Sequence, residues 1–177
     1  MAKLKNFGRP GGIECMNKVY LLIGGNVGDR QGNLEQARRE IAATIGSISR
    51  ASSIYETAPW GNQSQGAFLN QVLEVLSPME PEAVMESALS IEQHMGRIRQ
   101  GLNQPRTIDI DILYFNDEII NWDGLTIPHP RIADRKFVLI PMHELNPDWI
   151  DPTHQQTIFQ LLDACRDELA VNKLDAM

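Results

Sequence analysis

Apolar and polar residues alternate with a period of two along Thr107-Ile108-Asp109-Ile110-Asp111-Ile112-Leu113-Tyr114-Phe115, a run rich in β-branched and aromatic side chains. That pattern predicts a β-strand. Strand geometry sends Asp109 and Asp111 to one face, roughly 6.5–7 Å apart. Ile108, Ile110 and Ile112 then point to the other face, into a core. Val19–Ile23 reads as a short apolar strand ending at Gly24-Gly25-Asn26. Asn33 is placed to cap a helix that carries Leu34, Ala37, Ile41 and Ile45 on one face. Ile48–Thr57 reads as a second strand, and Phe68–Leu76 as a third after a loop with Pro59, Gly61 and Gly66. Pro81 opens a second helix with Val84, Ala88, Ile91 and Met95 inward and Gly96 as its stop.

The order β-α-β-β-α-β is the ferredoxin-like arrangement of an α+β sandwich. Beyond it, Asn116-Asp117 suits a turn into Glu118–Ile120, which extends the sheet as an added hairpin. Ile158, Leu161, Leu162, Cys165 and Leu169 mark a C-terminal amphipathic helix. Residues 1–17 lack periodicity and carry no apolar segment of a secretory signal. They read as a mobile N-terminal extension, with residues 18–177 as one domain.

At 177 residues the chain has the length for one core. No apolar run approaches the ~20 residues that cross a bilayer, so no membrane partner is expected. The net charge of −7 disfavours nucleic acid, which selects basic surfaces. Cys15 and Cys165 show no metal-ligand spacing and read as free thiols of a cytoplasmic protein.

Against this acidic background, Arg97, Arg99 and Arg106 fall within ten residues that contain no acid, just before the aspartate strand. His129, Arg131, Arg135 and Lys136 follow it. Neighbouring carboxylates repel each other and persist where positive charge compensates them. Magnesium takes one or two carboxylates plus substrate phosphates, and arginine forks match phosphate oxygens. The expectation is a site for a metal and a polyphosphate; the bland alternative is a solvated strand face with surface arginines. Gly24, Gly25, Gly28 and Gly32 fit neither G-K-[ST] nor G-x-G-x-x-G and read as a turn needing a permissive backbone. Gly96, Gly101, Asn103 and Gln104 give 97–106 the composition of a lid that excludes water. Pro128-His129-Pro130 holds an imidazole on a stiff backbone, either to donate to a phosphate or to satisfy a turn. Glu92 either accepts from a ribose hydroxyl or stands as a solvated helix residue. Phe68 and Phe137 are suited to stack on a ring, and Asn70, on the face of Phe68, to bond a heterocycle edge. Core packing is the alternative for each.

These residues coincide with a known pattern. Pro105-Arg106-Thr107-Ile108-Asp109-Ile110-Asp111-Ile112-Leu113 resembles the signature of the 6-hydroxymethyl-7,8-dihydropterin pyrophosphokinases. Ile23-Gly24-Gly25-Asn26, Tyr55-Glu56-Thr57-Ala58-Pro59, Phe68-Leu69-Asn70, Ile91-Glu92, Gly96-Arg97-Ile98-Arg99, Pro128-His129-Pro130-Arg131 and Arg135-Lys136-Phe137-Val138-Leu139 support the likeness. The resemblance implies transfer of pyrophosphate from ATP to the pterin hydroxymethyl group, with AMP released. It implies two Mg2+ ions on Asp109 and Asp111, and assistance to transfer from Arg97 and Arg106. ATP falls to Glu92, Arg99, Ile112 (through its backbone), Thr126, His129 and Arg135. The pterin falls to Thr57, Ala58, Trp60, Phe68, Asn70 and Phe137. Departures are Gly25 in place of a serine, a 97–106 loop one residue short without a tryptophan before Pro105, and Leu89 and Gly124 at positions of polar ATP contacts. A stand-alone enzyme, monomeric or weakly oligomeric, is expected.

Overall fold

The computed structural model describes residues 16–59, 64–97, 104–122 and 124–174. A six-stranded antiparallel sheet forms its centre. Its strands are β1 (Asn17–Gly25), β2 (Ser47–Ala51), β3 (Tyr55–Thr57), β4 (Phe68–Ser77), β5 (Asp109–Phe115) and β10 (Val171–Lys173). They lie in the order β10-β3-β4-β1-β5, with β2 beside β4. Helices α1 (Arg30–Thr44) and α2 (Pro81–His94) complete the ferredoxin-like core. Two small hairpins are added, β6 (Ile120–Trp122) with β7 (Leu125–Ile127) and β8 (Ile150–Asp151) with β9 (Gln156–Thr157). Helices α3 (Lys136–Leu145) and α4 (Ile158–Ala164) cover the second face of the sheet.

Both faces are therefore dry, and β1 reads as a near-continuous apolar run for that reason. Val19, Leu21 and Ile23 pack with Leu34, Ala37 and Ile41 of α1 and with Val84, Ala88 and Ile91 of α2. Tyr20 and Leu22 point the other way, onto Val138, Leu139 and Met142 of α3 and Ile158 and Leu161 of α4. β5 pairs with β1 through a bulge, Leu21 facing Ile112 and Tyr20 facing Tyr114. The extra residue reverses the alternation. Ile110, Ile112 and Phe115 join the α1/α2 core, while Leu113 and Tyr114 join the α3/α4 core.

Several expected boundaries move. Asp29, not Asn33, caps α1: its Oδ1 accepts from the Gly32 N–H at 3.0 Å, and the Asn33 amide donates to the Val27 carbonyl instead. The 48–57 segment is two strands because Ser52 substitutes its hydroxyl for a ladder carbonyl. Ser52 Oγ accepts from Val72 N–H at 3.0 Å, and the ladder to β4 breaks between Ala51 and Tyr55. Residues 118–120 do not extend the sheet. Asn116, at φ 47, turns the chain away, and Ile120 pairs with Ile127 in the separate β6/β7 hairpin. The C-terminal helix ends at Ala164, short of Leu169, and the chain then returns as the edge strand β10. β1 includes Asn17, one residue before the expected domain start, and residues 1–15 lie outside the described set. No helix among the described residues is long and apolar enough to cross a membrane.

Candidate active site

Two cavities open at the ends of β1, β4 and β5 and share one boundary. The smaller, about 60 Å³, is lined by Thr57, Ala58, Phe68, Asn70 and Phe137 together with Leu22, Gly24, Pro59 and Gln65. The larger, about 560 Å³ and open to solvent, is lined by Glu92, Arg97, Ile112, Thr126 and His129. Arg106, Asp109, Asp111 and Arg135 belong to both. The residues expected to hold a heterocycle and those expected to hold a nucleotide thus fall into different cavities. Arg135, expected in the nucleotide group alone, faces both. Trp60 and Arg99 lie outside the described residues.

The small cavity is held by neutral hydrogen bonds. The period of two on β4 puts Phe68 and Asn70 on one face. The Asn70 amide donates to Thr57 Oγ1 at 2.7 Å, so its geometry is set before any ligand arrives. Gly24 is required here, since a Cβ would sit 2.2 Å from Asn70 Oδ1. A Cβ on Gly25 would meet the Thr107 carbonyl at 2.1 Å. Gly24 and Gly25 are thus strand residues of β1 that permit close approach of Asn70 and Thr107, and of the four glycines read as a turn only Gly28 takes a positive φ, 70. The Arg106 guanidinium lies 5.0 Å from the Phe68 ring centre, and that of Arg135 lies 5.6 Å from the Phe137 ring centre.

Charge dominates the boundary. Asp109 pairs with Arg97 through one oxygen and with Arg106 Nε at 2.8 Å through the other. Arg97 also reaches Glu92 at 2.5 Å. Glu92 is 2% exposed and accepts the Ile110 N–H at 2.9 Å, which excludes the solvated alternative. Its carboxylate ties α2 to β5 and orients Arg97. Burial and the neighbouring Asp109 push Asp111 up to about 7, against the opposing pull of Arg135 and Arg106. Burial and the cations Arg135 and Arg131 push His129 down to about 4, so the imidazole is neutral at pH 7. The Arg131 N–H donates to His129 Nδ1 at 3.2 Å. That contact assigns the proton to Nε2, leaving an N–H to offer a phosphate.

Sequence reading missed Asn26. Its Oδ1 accepts the Arg106 N–H at 2.9 Å, its own N–H donates to the Arg106 carbonyl at 3.0 Å, and its amide donates to Gln65 Oε1 at 3.1 Å. One side chain thus fixes the backbone of Arg106 and a residue of the small cavity. Its position directly after the β1 glycines was the available signal.

The donor set fits magnesium. Among the described residues no three His, Cys, Asp or Glu side chains converge on one point. Two carboxylates on one strand face, one of them raised in pKa by burial and by the other's charge, match a hard cation that would relieve that repulsion and complete its shell with water and phosphate.

Group transfer between two bound molecules needs a common boundary, and here both carboxylates stand on it. The class this defines is a two-substrate transferase. Residues 20–147 match the family of 7,8-dihydro-6-hydroxymethylpterin-pyrophosphokinases. A 2-amino-4-hydroxy-6-hydroxymethyldihydropteridine pyrophosphokinase of Bacillus subtilis is 41% identical over 133 residues, 73% of this chain and 78% of that protein. One of Synechocystis is 37% identical over 142 residues, 80% of this chain and 72% of that protein. The chain belongs to this pyrophosphokinase family, which transfers pyrophosphate from ATP to hydroxymethyldihydropterin in folate biosynthesis. An HPPK-DHPS crystallised with substrates superposes with a TM-score of 0.69 at 16% identity, over 84% of this chain. It spans 43% of that longer chain, and a likeness at this identity speaks for the fold.

Proposed function

We propose that the small cavity binds the reduced hydroxymethyl pterin, the large one binds ATP, and Asp109 and Asp111 hold two Mg2+ ions between them. The observation that carries this reading is the shared boundary: Arg106, Asp109, Asp111 and Arg135 face both cavities. Held by Asp109 and Asp111, magnesium would supply positive charge to offset that developing on the phosphate oxygens during transfer.

This chain's residues do the rest by positioning. Phe68 and Phe137 flank the pterin ring, with Asn70 on its polar edge and Thr57 and Ala58 closing the wall. Asn70 is oriented by Thr57 and so offers its carbonyl oxygen without rearrangement. Met85, Leu89 and Leu125 supply apolar surface at the other end of the large cavity for the adenine. His129 donates from Nε2 to a phosphate, and Thr126 and the Ile112 backbone lie beside the nucleotide. Arg97 and Arg106 exchange Asp109 for phosphate oxygens when the triphosphate enters, while Glu92 keeps Arg97 aimed inward. Arg99 and the rest of 98–103, read from the sequence as part of a lid, lie outside the described residues. No side chain is assigned as a general base. The reading extends to a cytoplasmic enzyme that works as a monomer or weak oligomer.

Incubation with ATP, Mg2+ and reduced hydroxymethyl pterin, followed by chromatography, tests it. AMP and pterin diphosphate form in equal amounts on this account. ADP as the nucleotide product, or no turnover, contradicts it.

A further inference from the structure

The small cavity has two walls on different layers of the fold. One is Phe137, in the first turn of α3, with Arg135 beside it. The other is Thr57–Ala58 at the end of β3, opposite Phe68. β3 has three residues, and its outer neighbour β10 has three as well. Val171 pairs with Thr57, and the Ala58 N–H donates to the Ala170 carbonyl at 3.3 Å. Ladders this short resist fraying poorly without further anchorage.

That anchorage comes from the far end of α3. Glu144 Oε2 accepts from the Ser53 N–H at 3.0 Å and the Tyr55 hydroxyl at 2.8 Å. Its Oε1 accepts from the Ser53 hydroxyl at 2.8 Å and from Lys173 Nζ at 3.1 Å. Four donors from three segments, the 52–54 connection, β3 and β10, converge on one carboxylate. Burial raises its pKa, but the hydrogen bonds from Ser53, Tyr55 and Lys173 outweigh this and hold it below the usual carboxylate range. The helix itself is fixed, with Val138, Leu139 and Met142 buried against Tyr20, Leu22 and Val72. One rigid helix therefore carries Phe137 at its start and grips the opposite wall near its end.

We infer that Glu144 is a positioning residue that sets the width of the small cavity by tying β3 and β10 to α3. It touches neither substrate. Its effect on the reaction passes through Thr57 and Ala58, and this consequence rests on the assignment of the small cavity to the pterin.

The test compares Glu144→Gln, Glu144→Ala and Tyr55→Phe with the wild-type enzyme, measuring KM for the reduced hydroxymethyl pterin, KM for ATP, kcat, and amide hydrogen exchange at Ala58. Glu144→Gln is expected to raise the pterin KM about 5- to 10-fold, with ATP KM and kcat within about 2-fold. Glu144→Ala should exceed it, and Tyr55→Phe, which removes one of the four donors, should fall below it. Ala58 exchange should accelerate about 10-fold in Glu144→Gln while the amides of β1 keep their protection. A lowered melting temperature with an unchanged pterin KM would make Glu144 merely structural and overturn the inference, as would equal rises in both KM values. Exchange needs no substrate. If the wild-type enzyme fails to use the pterin, the functional reading falls, and unaltered Ala58 exchange in Glu144→Gln separately refutes the clamp.

Discussion

The two cavities are built on opposite principles. In the small one, neutral groups are already satisfied by one another: Asn70 rests on Thr57, and Thr57 on the β3–β4 ladder. In the large one, charged groups hold each other through Glu92–Arg97–Asp109–Arg106. The first arrangement is fixed before any ligand binds, so on the proposed function it would reorganise little on occupation. On the proposed function the second must re-pair, because the arginines that now neutralise Asp109 are those assigned to the triphosphate. Preorganisation favours selectivity for the heterocycle. On the same proposal, exchangeable ion pairs would let one cluster neutralise its carboxylates before the ligands arrive and then accept the phosphates and ions together. Substitutions in the small cavity should therefore affect one substrate, and those on the boundary the chemistry itself.

The largest effect belongs to the boundary. Asp109→Ala and Asp111→Ala are each expected to drop AMP formation below detection while leaving the circular dichroism spectrum unchanged, since neither side chain packs in either core. Turnover near wild type in either variant would remove the metal assignment. Arg106→Ala comes next, slowing single-turnover transfer about 10²- to 10³-fold, the loss associated with one positioned charge donor. An unaltered rate would place Arg106 outside the mechanism. Asn70→Ala sharpens the contrast: pterin affinity should fall about 10-fold, measured by titration, with nucleotide affinity unchanged. Equal losses for both ligands would erase the distinction between the cavities.

A smaller effect of opposite sign tests the electrostatics. In the metal-free protein, Asp111 is raised from 3.8 to about 7 by burial and by Asp109. The folded state then binds more protons than the unfolded state between those values, so this group's contribution to stability falls as pH rises through that window. Above pH 7 the folded protein carries an unfavourable charge that asparagine does not. Asp111→Asn should raise the melting temperature at pH 8 in the presence of a chelator by roughly 2–4 °C, with the gain shrinking toward pH 5. A destabilised variant at pH 8 would mean that Arg106 and Arg135 overcompensate Asp111.

Period-two patterning made β5 and β4 legible, and with them Asp109, Asp111, Phe68 and Asn70 on their proper faces. Both helices of the ferredoxin-like core were equally plain, because Leu34, Ala37 and Ile41, and Val84, Ala88 and Ile91, recur at helical spacing. Helix α3 was missed although Val138, Met142 and Leu145 recur at i, i+4 and i+7; the apolar run around them and Pro141 masked the period. The break between β2 and β3 was invisible because a Ser52 hydroxyl replaces a backbone group, which no hydrophobic pattern records. Glu92 and Asn26 depend on partners distant in sequence, the Ile110 amide and the Arg106 backbone. Local spacing could not choose between their possible roles, and only folding brings the partners within reach.

Isothermal titration with a non-hydrolysable ATP analogue, with and without Mg2+, tests the central claim most directly. Binding in the wild-type protein should tighten strongly with Mg2+, and that dependence should vanish in Asp109→Ala and Asp111→Ala. Affinity indifferent to Mg2+, or a dependence that survives loss of both carboxylates, would contradict the account.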